Sequence, residues 1–266
     1  MTPPERGLLG PLAGKLRSAW RALLLLIVLI GIWELYVDLG GADPLILPAP
    51  HAVASALFDD RSLLWSNFVV TAREVLLGIL VAAVWALVFA IGIHFSDTLR
   101  RAVYPLLVAS QAIPVAMIAP VLVLWLGFGI ESKLVVIALV SFFPIVVTTL
   151  AGLEAVDPEL IKLMRTLDAS RLRIFRHIEL PSALPGVLTG VKIAVVVAVI
   201  GAVFAELAGA NAGLGYLFQQ SIAQILTARA YAAVVILSAF AIALFGLLTV
   251  AERLAVPWAY ESRGER

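Results

Sequence analysis

Few residues in this chain are equipped for covalent or metal chemistry. Of 266 residues none is cysteine, and the three histidines, His51, His94 and His177, are scattered. Disulfides, iron–sulfur clusters and thiol nucleophiles are therefore excluded, and the histidines do not supply a typical metal site. His94 and His177 read as surface or capping residues. The nearest approach to a phosphate-binding loop is GPLAGKL at 10–16, which has three residues between its glycines and Leu16 after the lysine. That motif needs a longer gap and a hydroxyl for magnesium, so the chain does not bind ATP in that way. Carboxylates or lysines in mid-membrane would mark a proton relay or an intramembrane active site. Here Glu34, Arg73, Glu74, Lys192, Glu206 and Glu252 all fall within a turn or two of the end of an apolar run. They are expected to snorkel to water, which speaks against an ion-coupled secondary carrier and against a membrane-embedded enzyme, the two alternatives for such a chain.

The elements that must position these residues are set by the solvent, and that solvent is lipid. Hydrophobic residues make up 62% of the chain and charged residues 14%, against about half and about a quarter in soluble domains. A net charge of +1 without a basic stripe gives no reason to expect nucleic acid. Apolar runs long enough to span occur at 20–37, 70–95, 105–127, 134–150, 186–208 and 231–251. The first is expected to be retained, because it follows a polar, basic leader and lacks a small-x-small cleavage site before Asp38. The expectation is an all-α, multi-pass membrane protein of six transmembrane helices. It has a cytoplasmic segment 1–19, a membrane domain 20–251 and a cytoplasmic tail 252–266. Six spans put both termini on one side, and that side collects fifteen of the nineteen Lys and Arg residues against four on the other. Positive residues stay inside, so the termini and segment 157–181 are expected in the cytoplasm of a plasma membrane protein.

Broken helices are tolerated in membranes where freed backbone groups face protein or a water-filled cavity. The third span carries Pro114 and Pro120 near Gln111, and the fourth carries Pro144 beside Ser141, Thr148 and Thr149. These two helices are the candidates for a translocation pathway, with Glu206 a candidate for its outer mouth. In the fifth span Gly186, Gly190, Ala194, Ala198 and Ala202 recur every four residues, with Gly201, Ala205 and Gly209 on an adjacent line. Small residues at that period predict close helix packing, within the chain or against a second copy.

Segment 157–181 has helical punctuation. Asp157 can cap a helix that begins at Pro158 with Glu159 in its first turn. Leu160, Leu163, Met164 and Leu167 then form one apolar stripe. Asp168, Ala169 and Ser170 read as a break, with Ser170 capping a second short helix. That helix carries Leu172, Phe175 and Ile178 on one face and arginines on the other, and Pro181 and Pro185 are expected to end it. By itself this is a pair of amphipathic helices at a membrane surface.

The stretch KLMRTLDASRLRIFRHIELP at 162–181 resembles the signature loop of ABC importer permeases, written EAA, three residues, G, nine residues, I, one residue, LP. Ile178, Leu180 and Pro181 stand at the I and LP positions and Asp168 at the glycine, while Lys162, Leu163 and Met164 replace the EAA triplet. Aspartate tolerates left-handed backbone better than most residues, so the turn can survive. LPAPHAV at 47–53, QAIPVAMIAPVLVLWLGFG at 111–129 and GLGYL at 213–217 resemble permeases for nitrate, taurine, alkanesulfonates and pyrimidine or riboflavin-like vitamin precursors. The resemblance implies a type I ABC importer permease that pairs with a second permease, itself by preference. It implies two cytoplasmic ATPases that carry the ATP and magnesium, and an extracytoplasmic substrate-binding protein. In that family the loop docks on the ATPase, which makes Lys162, Leu163, Met164, Asp168, Ala169, Ser170, Arg171, Arg173, Ile178, Leu180 and Pro181 the expected coupling residues.

Overall fold

The computed structural model describes residues 9–258, and every regular element among them is a helix. Arg6, Arg263 and Arg266, which count toward orientation, lie outside the described residues, as do the outermost parts of segments 1–19 and 252–266. Contacts divide the described residues into two compact units. The first comprises 9–61 with Ser221–Ala232, and the second Ser62–Gln220 with 233–258.

The first unit contains α1, Leu9–Asp38, which holds the expected first span, and α2, Pro50–Asp59. Trp33 meets Tyr231 with ring centroids 6.2 Å apart, and Arg229 makes a two-pronged pair with Asp60 at 2.7 and 2.8 Å.

The second unit is built around α3, Arg61–His94; α6, Ile130–Glu154; α9, Leu180–Gly209; and most of α11, Thr227–Ala255. Four helices among the described residues are long and apolar enough to cross a membrane: α3, α6, α11 and the continuous helix Arg171–Gly209 that ends as α9. A fifth crossing exists if α4, Asp97–Ser110, and α5, Val115–Leu126, count as one broken span, the break being a 99° bend.

The third span is broken at Pro114, which precedes α5 as its cap, lacks an N–H, and pushes the residue before it out of helical backbone. Two expectations are corrected here. Pro181 and Pro185 do not end the second short helix. They lie inside α9, because the turn Phe175–Glu179 widens to π geometry and the Leu180 amide donates to the Phe175 carbonyl five residues back. That register accommodates the donor Pro181 cannot supply. Nor are the charges all at helix ends. α3 begins nine residues before the expected span, so Glu74 stands about 20 Å along it.

The small-residue line of α9 packs against α6 within the chain. A side chain added at Gly190 would meet the Thr148 hydroxyl at 2.1 Å and the Pro144 carbonyl at 3.0 Å, so the backbones touch there. Thr148 in turn donates to the Pro144 carbonyl at 2.7 Å. Ala82, Ala86, Ala90 and Ile93 of α3 join Ile145, Val146 and Leu150 of α6 and Ala194 of α9 in one buried cluster.

Candidate functional site

Segment 157–181 is assembled from local signals. The Asp157 carboxylate accepts the Glu159 amide at 2.9 Å and opens α7, Pro158–Thr166. α7 ends in a complete Schellman turn: the Ala169 amide donates to the Met164 carbonyl and the Asp168 amide to the Arg165 carbonyl, both at 3.0 Å. Asp168 holds the left-handed position with φ 56°, so aspartate makes the turn expected of glycine. The Ser170 hydroxyl then accepts the Arg173 amide at 3.4 Å and opens α8, Arg171–Ile174.

Exposure splits the expected coupling residues into two groups. Lys162, Leu163, Asp168, Ser170, Arg171 and Arg173 are exposed, with Met164 and Ala169 half-buried. Leu160, Leu163 and Leu167 are 47, 56 and 68% exposed, an apolar stripe that nothing in the chain covers among the described residues. Ile178, Leu180 and Pro181 are half-buried in the helix that continues as α9, rooted by buried Ile174 and Phe175. His177 is exposed, and its Nδ1 lies 3.0 Å from the Arg173 carbonyl one turn back in the same helix.

The pathway candidates lie in different settings. Gln111 and Pro114, at the break between α4 and α5, line a cavity of about 280 Å³ with Leu139 and Val140 of α6 and Val197 and Ile200 of α9. Pro120 is exposed on α5, and Pro144 is half-buried against α9. Ser141 is fully buried in α6 with no partner for its hydroxyl among the described residues. Glu206 is closed off from solvent within the described residues. It is 1% exposed and turned into the protein.

What surrounds Glu206 is a buried polar cradle. Its carboxylate accepts the Thr71 hydroxyl at 2.6 Å and the Gly215 amide at 2.5 Å. The Thr71 hydroxyl oxygen accepts the Leu214 amide at 2.8 Å, and the Asn67 side chain accepts the Gly213 amide at 2.8 Å. Three successive amides at the start of α10, Leu214–Ala223, are thus satisfied by side chains of α3 and α9. Gly213 has φ +117°, and a Cβ there would meet the Glu206 carboxylate at 2.2 Å, so GLG is what the cradle admits. One turn further along α3, Glu74 pairs with Lys133 of α6 at 2.8 Å, both nearly fully buried. Lys192 of α9 pairs with Glu252 of α11, also away from water. The expected snorkelling is corrected for all of these: each charge finds a polar partner across helices, which removes the need to reach water.

In the first unit Glu34, Asp38 and His51 bring ligand atoms within 4.8 Å of one another. Both Glu34 oxygens already engage His51, one at ring Nδ1 and one at the amide at 3.1 Å, so Glu34 caps α2. The hydrogen bond to Glu34, and then its charge, raise the His51 pKa above the ordinary imidazole value.

Sequence spacing gave no sign that His94, Phe95, Phe175 and Glu179 cluster where α8 and the π turn meet the end of α3. His94 and Glu179 are 85 residues apart, and their side chains meet at 2.9 Å. Asn67 and Thr71 were equally hidden, being ordinary polar residues in a long apolar helix.

Comparison with known proteins agrees with this architecture. Residues 74–256 match the family described as binding-protein-dependent transport system inner membrane component. A probable ABC transporter permease of Haemophilus influenzae is 39% identical over 85% of this chain and 92% of its own length. The formylaminopyrimidine transport permease ThiX of Halalkalibacterium halodurans is 36% identical over 88% and 94%, and the riboflavin permease RibX of Chloroflexus aurantiacus 34% over 91% and 92%. An amino acid ABC transporter of known structure shares the fold, with TM-score 0.59 and 17% identity over 76% of this chain and 96% of that one. With buried carboxylates present, it is this kinship and not a lack of buried charge that separates the chain from ion-coupled carriers. The chain belongs to the inner membrane components of binding-protein-dependent transport systems, as a permease of an ABC importer for small solutes.

Proposed function

We propose that this permease receives a small polar solute from an extracytoplasmic binding protein and works beside a second copy of itself and two cytoplasmic ATPases, which hold the ATP and magnesium. Its termini and segment 157–181 face the cytoplasm, as the fifteen-to-four division of Lys and Arg favours. The solute is a pyrimidine- or riboflavin-like vitamin precursor, with sulfonate, taurine or nitrate next in order; the names of the relatives in H. halodurans and C. aurantiacus support that choice.

The observation that carries this reading is the uncovered leucine stripe of α7. α7 has nine residues, about 13 Å, too short to span a bilayer, yet it is capped at both ends and holds a defined shape. A rigid short helix with an apolar face fits a groove on another protein. Movement of that helix by the ATPase switches the cavity between outward and inward openings, provided each nucleotide state binds one conformation better than the other.

The test is copurification and uptake with the ATPase and binding protein of the same organism. Leu163→Asp is expected to cut ATPase recovery at least tenfold while membrane insertion is unchanged. Wild-type chain that retains no ATPase, with uptake that ignores ATP and follows a proton or sodium gradient, would overturn the proposal.

A further inference from the structure

Segment 157–181 is rooted in the helical core through a cluster that lies mostly outside its signature residues. His94 ends α3 and Phe95 follows it, while Arg171, Phe175 and Glu179 come from α8 and the π turn. His94 Nε2 and Glu179 Oε2 are 2.9 Å apart, with the two side chains only 15 and 13% exposed. Arg171 donates to the His94 carbonyl at 3.4 Å, and its guanidinium lies 5.1 Å from the centre of the Phe95 ring. Phe175 completes the cluster, with ring centroids 5.0 Å from Phe95 and 5.9 Å from His94. Leu153 of α6 and Ala183 of α9 pack beneath it.

This arrangement has the parts of a lever. α7 offers a free surface, and the left-handed turn at Asp168 is an elbow. The helix from Arg171 onward is a stiff arm that passes into α9. α3 is joined to that arm through the chain only by a long detour, since 77 residues separate His94 from Arg171. Any motion the two share must therefore pass through side-chain contacts. A nearly desolvated hydrogen-bonded pair flanked by stacked rings is stiff, because a low local dielectric strengthens the polar contact and close packing resists displacement.

We infer that His94, Phe95, Arg171, Phe175 and Glu179 form the joint that makes α3 follow the coupling segment, so that a displacement at α7 moves α3 and α9 together. The inference rests on the proposed docking of an ATPase on α7. His94 and Glu179 are positioning residues: they touch neither nucleotide nor solute, and they act on the ratio of transport to hydrolysis.

The experiment uses the complete transporter, permease with its ATPase and binding protein, in liposomes, and reads three quantities: ATPase recovery, ATP hydrolysis and solute uptake. Glu179→Gln, which keeps the shape of the side chain, and His94→Ala are expected to leave ATPase recovery unchanged and to lower uptake per ATP hydrolysed at least tenfold. The exchanged pair, His94→Glu with Glu179→His, is expected to restore a large part of that ratio. An unchanged ratio in the single variants would overturn the joint while leaving the docking intact. Loss of ATPase recovery in these variants would make the cluster part of the docking surface and equally overturn the joint. Failure of the wild-type chain to hold the ATPase would instead overturn the docking on which the joint rests. If His94→Ala fails to insert, Glu179→Gln alone decides, since it removes the charge without changing the volume.

Discussion

Segment 157–181 and the cradle around Glu206 solve the same problem by opposite means. Every helix end leaves backbone groups without partners inside the helix. At α7 and α8 the partners are neighbours in sequence: Asp157 for Glu159, Asp168 and Ala169 for Arg165 and Met164, Ser170 for Arg173. At α10 they come from far away, Asn67 and Thr71 lying 146 and 143 residues from the amides they accept. α2 follows the second pattern on a smaller scale, with Glu34 accepting the amide of His51. A locally capped segment keeps its shape while it moves, as a part that swings against a partner protein must. A remotely capped one is tied to the helices that cap it and moves only with them.

The sharpest break in that comparison is expected at the buried charges beside the cradle. Lys133→Met leaves the Glu74 carboxylate buried without its partner, a loss of about 3–5 kcal/mol. Thermal unfolding in detergent should fall accordingly, and Glu74→Met combined with Lys133→Met should recover most of it. Full stability of the single variant would mean that water reaches Glu74.

A smaller effect distinguishes the two tight turns. Gly213→Ala introduces both a strained backbone and a clash with the Glu206 carboxylate, costing about 2–3 kcal/mol. Asp168→Gly relieves a left-handed residue in an exposed turn and is expected to change stability by about 1 kcal/mol or less, with uptake retained. Equal sensitivity at the two positions would erase the distinction between a local and a remote cap.

The smallest effect is a titration at the cap of α2. The His51 midpoint, followed by NMR, is expected above 6.5, and Glu34→Gln should return it to the ordinary range. Because the folded-state pKa is raised, the attraction of His51 for Glu34 is fully present below pH 6.5 and is lost as pH rises through the raised value. A midpoint unmoved by Glu34→Gln would remove Glu34 as the cause.

By itself the sequence determined the solvent, the apolar runs and the caps of α7 and α8. Each of these depends on residues adjacent along the chain or repeating at helical period. It also determined that Asp168 stands at the turn, since spacing to Ile178, Leu180 and Pro181 is a one-dimensional property. Only the tertiary structure decided the rest. The helix running through Pro181 depends on how register is made up around a missing amide. The burial of Glu206 against Thr71, and the pairing of Glu74 with Lys133 and of His94 with Glu179, depend on contacts between residues 59 to 135 positions apart. The sequence shows a charge in an apolar run, but its partner is chosen by which helix faces pack together. Here those faces follow from the small-residue seam that brings α9 against α6.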